Sequence, residues 1–276
     1  MQTIYETIFQ IFGITLFRYF LIAGIAFLLF YSLFAGRAQQ HKIQKRKARR
    51  TDFLREIGHS IVTSAIFAFI GYAILFTPLS AHTLIYHDLS DFPLWWMPVS
   101  LALSLVIHDT YFYWMHRLLH HRQLFRYAHL VHHKSTNPSP WASYSFHFLE
   151  SIAEGAVLLV LAFILPMHPL TIFLFIVVGF VINVYGHLGY EIMPRAFRRS
   201  FLFGIINTSV HHNLHHSKFK GNYGLYFRVW DRLMGTEHPD YVKEYDRIQE
   251  QRFGKKIERQ GSVGDETRIR QHQASF

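Results

Sequence analysis

Long stretches without a charged residue are the feature that most constrains how this chain can fold. Residues 19–35 contain no charged side chain, and residues 61–79 contain none either. A helix rises 1.5 Å per residue, so each stretch, with a few flanking residues, can cross a hydrocarbon core about 30 Å thick. Two shorter apolar stretches, 156–165 and 170–185, flank a break at 166–169 and predict a helical hairpin.

A fifth apolar stretch runs from Leu94 to about Tyr113 and begins with the pair Trp95 and Trp96. Tryptophan rings favour the interface between membrane and water. We therefore predict an all-α fold, a polytopic membrane bundle of about four transmembrane helices with additional interfacial helices. The first apolar stretch is too long for the core of a cleaved secretion signal and no small-residue cleavage site follows it, so we expect it to be retained.

The basic residues indicate how the chain is oriented. Residues 37–50 contain seven Lys or Arg and no acid, whereas residues 78–93 contain no Lys or Arg. Cytoplasmic loops of membrane proteins carry an excess of basic residues, so the first segment is expected on the cytoplasmic side and the second outside. The formal net charge of +10 therefore favours a membrane topology signal over nucleic-acid binding. Following the chain places the histidine-rich regions at the cytoplasmic face.

Histidine clustering is the main chemical signal in the sequence. Thirteen of the 20 histidines lie in two windows, 108–147 and 187–216, and the chain has no cysteine. Any metal site must then use nitrogen and oxygen ligands. Within these windows, histidines recur at spacings of three and four, which places them on one face of a helical turn. The candidate metal ligands are His116, His120, His129, His132, His133, His147, His187, His211, His212, His215 and His216.

The number of histidines predicts two metal ions. A catalytic zinc needs three protein ligands and a structural zinc needs four, whereas the three clusters together with His187 offer nine or ten. Neutral imidazole suits iron, copper, zinc and nickel, so ligand type does not choose among these metals.

The spacing and context of these histidines resemble the fatty acid hydroxylase and sterol desaturase superfamily of membrane di-iron oxygenases. The superfamily pattern HxxxH, HxxHH, a separate histidine and HxxHH matches four places, and the segments 109–120, 222–224 and 230–236 are similar to its flanking motifs. The tract 133–150 is similar to the sterol desaturase branch, although Phe148 stands where that branch has Pro after the histidine. The matching residues are His116 and His120; His129, His132 and His133; His187; and His212, His215 and His216.

The resemblance implies an enzyme that binds two iron ions, uses O2 as co-substrate and hydroxylates or desaturates a lipid taken from the bilayer. Electrons must then come from a separate reductase, ferredoxin or cytochrome, because the chain shows no haem, flavin or nicotinamide motif and no cysteines for an iron–sulfur cluster. The membrane would be a bacterial inner membrane or the endoplasmic reticulum. The resemblance also divides the chain into 1–56, a membrane helix and basic loop; 57–240, the catalytic domain; and 241–276, a polar, partly disordered tail.

Three carboxylates are candidates for a catalytic or histidine-orienting role. Asp109 precedes His116 by two helical turns, roughly 10 Å, which is too far for a direct bond but suits a carboxylate that orients a histidine from another segment. Glu150 and Glu191 lie near His147 and His187 in the sequence and are expected to act in the same way. Glu154 is also notable, because acids at membrane depth are costly.

Two other functions compete with the oxygenase. A membrane zinc hydrolase would use imidazoles to activate water, but the HExxH motif is missing and the ligand count exceeds what hydrolysis needs. A metal transporter would place its site near the middle of the bilayer on broken helices, whereas these histidines lie in segments predicted at one face.

Overall fold

Helices form the whole regular structure of residues 3–254, which are the residues that the computed structural model describes. Short 3-10 and π-helical turns connect them, and this part of the chain has isolated β-bridges but no strand. The all-α architecture predicted from the apolar stretches is confirmed. The helices are α1 Ile4–Phe27, α2 Arg50–Phe76, α3 Trp96–Leu119, α4 Leu130–His133, α5 Phe148–Ile164, α6 Pro169–Gly186, α7 Ser209–Lys218, α8 Val229–Leu233 and α9 Tyr241–Phe253.

Among the described residues, three helices are long and apolar enough, by length and composition, to cross a membrane. They are α1 with its π-helical continuation, Ile4–Leu33, then α2 and α6. The sequence predicted about four. The helix α5 has only 17 residues and includes Glu150 and Glu154. The helix α3 is continuous, but its sequence contains polar residues such as Asp109. The bundle therefore combines three candidate spans with α5, which is one residue shorter than the shortest of them, and with α3, which carries polar residues.

The first span begins earlier than the apolar stretch 19–35 indicated. Glu6 lies at the start of α1, where its carboxylate accepts the backbone N–H of Thr3 at 2.7 Å while the Thr3 hydroxyl accepts the N–H of Glu6. This reciprocal cap satisfies the free N–H groups of the first turn. Arg18, in the middle of α1, lines an internal cavity. The two charged residues that shorten the apolar stretch in the sequence are thus both accommodated within one helix.

Inside the bundle, α2 packs against α1 and α5, and α3 packs against α5 and α6. The break between α5 and α6 is fixed at its tip, where Tyr86 donates its N–H to the carbonyl of Met167 at 3.2 Å. The predicted hairpin therefore exists. The segment between α4 and α5, together with α7 to α9, forms a cap over one end of this bundle.

The cap is held to α2 by buried polar contacts. Glu56 of α2, which is fully buried, accepts the hydroxyl of Ser139 at 2.6 Å, and the guanidinium of Arg55 donates to the hydroxyl of Ser135 at 3.2 Å. From the basic segment, Gln44 donates to the carbonyl of Thr136 and to the side chain of Asn213, both at 2.8 Å. These contacts join the bundle to two separate parts of the cap.

The helix α9 differs from the sequence-based expectation of a partly disordered tail beginning at residue 241. Tyr241, Tyr245 and Ile248 recur at spacings of four and three, so they share one face, and all three are fully buried against Phe203 and neighbouring apolar residues. Most of the other residues of the helix are polar, including the buried Gln249 and Arg252, which is why the segment looks like a tail in the sequence. Residues 255–276 of the predicted tail lie outside the described residues.

We expect Ile248→Ala to destabilise the cap. Removing a buried isoleucine side chain typically costs about 2–5 kcal/mol, because the cavity left behind is only partly filled. The measurement is the thermal unfolding of the detergent-solubilised protein. Lys243→Ala, at an exposed position of the same helix, should change stability by less than about 0.5 kcal/mol. Equal melting temperatures for the two variants would show that α9 is not docked.

Candidate metal centre

Nine histidines converge in two groups at the end of the bundle covered by the cap. Within each group the ring nitrogens that can serve as ligands lie within 4.8 Å of one another. All nine rings are buried except that of His120, which is half-buried. The first group contains His116, His120, His129, His133 and His215, and the second contains His132, His187, His212 and His216.

The two groups share the same short helices. His132 and His133 are consecutive in α4 but belong to different groups. The same is true of His215 and His216, which are consecutive in α7. Consecutive residues on a helix point about 100° apart, so one turn can present rings to two neighbouring points. The rings of His133 and His216 lie 5.0 Å apart. This arrangement places the two groups side by side.

Five rings are held by a hydrogen bond at Nδ1. The acceptor is a backbone carbonyl for four of them, and a carbonyl oxygen can only accept, so Nδ1 carries the proton. The fifth, His129, has its Nδ1 at 2.6 Å from Oε1 of Glu150. The four carbonyl pairs are His116 with Tyr223 at 2.9 Å, His132 with Ser145 at 3.3 Å, His187 with Asn183 at 2.9 Å, and His215 with Gly221 at 2.7 Å.

The protonated Nδ1 leaves a lone pair on Nε2 of each neutral ring. Burial lowers the pKa of His187 and of His215 to about 4, so both rings are neutral at pH 7. The Nε2 atoms nevertheless approach one another closely. Those of His116 and His129 are 3.0 Å apart, and those of His187 and His132 are 3.4 Å apart. Lone pairs that converge in this way repel one another unless a cation lies between them, so the geometry fits two metal ions.

The three predicted carboxylates occupy three different places. Glu150 holds His129, as described above. Asp109 does not contact a histidine but accepts the backbone N–H groups of Leu225, Tyr226 and Phe227 at 2.7–3.1 Å. It therefore holds the loop that follows Tyr223.

Glu191 is fully buried and holds the chain near α7. Its carboxylate accepts the hydroxyl of Tyr185 at 2.8 Å and the backbone N–H of Met193 at 2.9 Å, and it lies 3.4 Å from the N–H of Val210. Burial raises the pKa of Glu191, and these hydrogen bonds oppose the rise. This carboxylate links the end of α6 to the first turn of α7.

Asp231 has a role that the sequence analysis did not assign. Its carboxylate accepts the N–H groups of Tyr223 and Gly224 at 2.9 and 2.8 Å and the hydroxyl of Thr236 at 2.7 Å. It thereby fixes the carbonyl of Tyr223 that holds His116. The sequence feature that could have identified Asp231 is its position in the segment 230–236, which is similar to the closing motif of the superfamily named above.

Two of the eleven candidate ligands lie outside both groups. His147 precedes α5, and its Nδ1 accepts the N–H of Leu149 at 3.3 Å as a helix cap. His211 is fully buried on α7, where its ring packs edge-on against Tyr241 with centroids 5.0 Å apart. Its Nε2 lies 3.9 Å from a carboxylate oxygen of Asp231. Neither ring points at the converging nitrogens.

An apolar cavity of about 300 Å³ lies inside the bundle next to the second group. This volume is at the lower end of the range of about 300–1,000 Å³ for ligand pockets. Phe146 lines the cavity and its ring lies 5.1 Å from that of His132. Asn183 also lines it and holds His187 through its carbonyl. Side chains from α1, α2, α5 and α6 form most of the wall.

Comparison with protein families identifies a matching family. The model of the family described as fatty acid hydroxylase matches residues 101–236. This range contains all nine converging histidines and the carboxylates that hold the site. No solved structure matches the chain.

Curated relatives include sterol-modifying enzymes. The chain is 30% identical over 236 residues to the Delta(7)-sterol 5(6)-desaturase of Gibberella zeae, covering 83% of this chain and 71% of that protein. It is 34% identical over 164 residues to lathosterol oxidase of Rattus norvegicus, covering 58% and 53%. It is 36% identical over 174 residues to the cholesterol 25-hydroxylase-like protein of Danio rerio, covering 57% and 68%. The chain thus spans about half the length of the rat enzyme and more of the other two.

We expect His215→Ala to lower the metal content of the purified protein from two ions per chain to about one, because it removes a ring from one group only. The measurement is elemental analysis after purification without chelators. His147→Asn is the matched control, since asparagine preserves the helix cap and His147 lies outside both groups. It should retain both ions. Loss of metal in His147→Asn, or full metal content in His215→Ala, would contradict this grouping.

Gly221→Ala should weaken metal binding without touching a histidine. Gly221 has φ +76°, and an added Cβ would lie 2.5 Å from the carbonyl oxygen of Thr236. The loop would have to move, which displaces the carbonyl that holds Nδ1 of His215. Disturbing groups that orient metal ligands typically costs about 10–100-fold in metal affinity. Chelator competition measures this loss, and Gly235→Ala, where a Cβ meets nothing within 4 Å although φ is also positive, controls for backbone strain. Equal affinity in both variants would contradict the role assigned to the Gly221 carbonyl.

Proposed function

We propose that this chain, which belongs to the fatty acid hydroxylase family, is a di-iron oxygenase that hydroxylates or desaturates a sterol-like or fatty acyl lipid. Its family makes it an integral membrane oxidoreductase of the sterol desaturase and hydroxylase type, with a histidine-rich site for two metals. The observation that carries the proposal is the pair of adjacent groups of neutral, buried imidazoles beside an apolar cavity. The relatives' names favour a sterol-like lipid as the first substrate to test.

The donor set fits iron. Imidazole nitrogen is a suitable ligand for iron as well as for zinc, but zinc has no redox chemistry, and nine rings exceed what one zinc ion takes. We assign the five-histidine group to one ion and the four-histidine group to the other. Bound there, two iron ions would supply the redox chemistry by which O2 oxidises an unactivated C–H bond.

The overall reaction sets what must be delivered to the site. Hydroxylation places one oxygen atom of O2 in the C–H bond and reduces the other to water, whereas desaturation removes two hydrogen atoms and yields two waters. Either reaction takes two electrons and two protons from outside the lipid. The described residues and the sequence contain no cysteine and no recognisable haem or flavin motif, so we infer a separate electron donor.

In this proposal the chain's own residues hold the metal-binding rings in position and exclude water from the site. The Nδ1 contacts keep the rings aligned, and the carboxyl group of Glu150 orients His129 through its Nδ1, as groups next to metal ligands commonly do. The cap covers the rings from solvent, and the cavity opens a place for an apolar lipid beneath them. Asp109, Glu150 and Glu191 are therefore positioning residues in this proposal.

We infer that the cap lies on the cytoplasmic side. The seven basic residues of segment 37–50 join α1 and α2 at the capped end, where Gln44 contacts Thr136 and Asn213. The positive-inside bias places such a segment in the cytoplasm. Electrons from a cytoplasmic reductase, ferredoxin or cytochrome would then reach the metals without crossing the membrane.

The decisive experiment measures metal content and oxygen use together. Protein purified without chelators should contain two irons per chain and, with a Δ7-sterol and an added reductase system, consume O2 in proportion to product. Chelation should abolish turnover and iron should restore it, whereas zinc should not. Stoichiometric zinc with turnover independent of O2 would show a hydrolase instead, and turnover with a nicotinamide cofactor as the only reductant would refute the separate electron donor.

A further inference from the structure

A hydrogen bond in the wall of the apolar cavity joins two polar side chains from distant parts of the chain. The hydroxyl of Tyr226 lies 2.8 Å from Nδ1 of His108, and both residues line the cavity. We call these two side chains the His108–Tyr226 pair. A polar group in apolar surroundings costs free energy unless it is hydrogen-bonded, so each member of the pair stabilises the other.

Consecutive residues of α3 hold Tyr226 at both of its ends. Asp109 accepts the backbone N–H of Tyr226 at 2.7 Å, while His108 contacts the hydroxyl. The tyrosine is only 2% exposed. Its hydroxyl therefore has a fixed position in the cavity wall. A group that is already in place loses less conformational freedom when a ligand binds.

The position of the Tyr226 hydroxyl also depends on a glycine of α6. A Cβ added at Gly179 would overlap this hydroxyl, and Gly179 lines the same cavity. Glycine in the middle of a helix is less stable than alanine. Its presence at this point of α6 therefore fits a requirement for space beside the tyrosine.

Two helices give the same distance from the pair to the metal-binding rings. His108 precedes His116 by eight residues in α3, and Gly179, beside the Tyr226 hydroxyl, precedes His187 by eight residues at the end of α6. Eight residues of helix span about 12 Å. The cavity extends from this level to the side chains that contact the rings. A ligand bound to the pair can therefore lie in the same cavity that reaches the metal centre.

The proton between the two side chains can be placed in two ways when the imidazole is neutral. If the tyrosine hydroxyl donates to Nδ1, then Nε2 of His108 carries a proton and the tyrosine oxygen keeps a lone pair. If Nδ1 donates to the tyrosine oxygen, then Nε2 has the lone pair and the hydroxyl proton is unused. Nε2 forms no hydrogen bond within residues 3–254. In both arrangements the pair keeps one unused donor and one unused acceptor.

An uncharged hydroxyl matches this combination best. It can donate one hydrogen bond and accept another, whereas a carbonyl oxygen can only accept. A carboxylate or an ammonium group would bring a charge against a pair that has no opposite charge, which is costly in an apolar wall. We propose that the His108–Tyr226 pair binds a hydroxyl group of the lipid and so fixes how the lipid lies along the cavity. The proposal rests on the proposed function only in taking the bound lipid to be the substrate.

Binding measurements test the pair without turnover. A sterol is compared with its 3-ketone and its 3-deoxy analogue, and a long-chain alcohol with the matching alkane and fatty acid, each in competition with a fluorescent sterol or fluorescent fatty alcohol. We expect the wild type to prefer the alcohol over the compound without oxygen by about fivefold or more in at least one series, the usual effect of one hydrogen bond between neutral groups. The ketone should bind less tightly than the sterol. No alcohol preference in either series, or tighter binding of the fatty acid, would overturn the proposal.

Tyr226→Phe removes the hydroxyl and keeps the ring. We expect the alcohol preference to fall to about twofold or less, while binding of the deoxy compound stays within about twofold of wild type. Tyr127→Phe, whose tyrosine is 69% exposed, is the matched control and should keep the wild-type preference. A full preference in Tyr226→Phe would show that another group of the wall, such as Glu154, binds the hydroxyl. An equal loss of both ligands would indicate a structural role, and either result would overturn the proposal.

Gly179→Ala disturbs the pair without changing either of its members. The added methyl group takes the place of the Tyr226 hydroxyl, so the phenol must shift, and we expect the alcohol preference to fall as it does in Tyr226→Phe. Gly13→Ala, in α1, is the matched control because a Cβ there meets nothing within 4 Å. It should keep the wild-type preference. This variant also provides the test if Tyr226→Phe does not fold, and a full alcohol preference in Gly179→Ala would overturn the proposal.

The outcomes for the pair and for the oxygenase are distinct. A protein that prefers alcohols through the pair, but contains no iron and consumes no O2, would refute the oxygenase and keep the hydroxyl site. A protein that contains two irons per chain and oxidises a lipid, but shows no alcohol preference, would keep the oxygenase and refute the hydroxyl site.

Discussion

The hydrogen bond at Nδ1 of the converging histidines is the constraint on which the site depends. A neutral imidazole can place its proton on either nitrogen, and only one choice leaves Nε2 free to bind a metal. Backbone carbonyls of Tyr223, Ser145, Asn183 and Gly221 each make that choice for one ring, and the Glu150 carboxylate contacts another. Because the acceptors are mostly backbone atoms, the conformation of the loops decides the chemistry of the rings.

Those loops are in turn held by carboxylates that touch no metal ligand. Asp231 and Asp109 accept consecutive N–H groups between Tyr223 and Phe227, and Glu191 ties the end of α6 to the start of α7. Buried polar groups must be hydrogen-bonded to be tolerated. The bonds of Asp109 join α3 to a loop more than a hundred residues later, whereas those of Asp231 and most of those of Glu191 are local. The cap is thus stabilised by the same contacts that aim the rings.

The membrane bundle gives the cap a rigid base and a cavity. Apolar side chains account for most of the cavity wall, and Arg18, His108 and Glu154 are among the polar residues that line it.

The sequence by itself determined the all-α membrane architecture and the concentration of imidazoles, because apolar length and helical spacing are local properties. It also indicated two metals, since the nine or ten clustered histidines exceed the needs of one ion. Only the tertiary structure decided which ring belongs to which group, that His147 caps a helix and His211 packs on Tyr241, and that Tyr241 to Phe253 form a docked helix. It also decided that Asp109 holds a loop while Glu150 holds a ring. Several of these outcomes depend on contacts between residues more than a hundred positions apart, and no local pattern specifies which distant carbonyl or carboxylate will meet a given side chain.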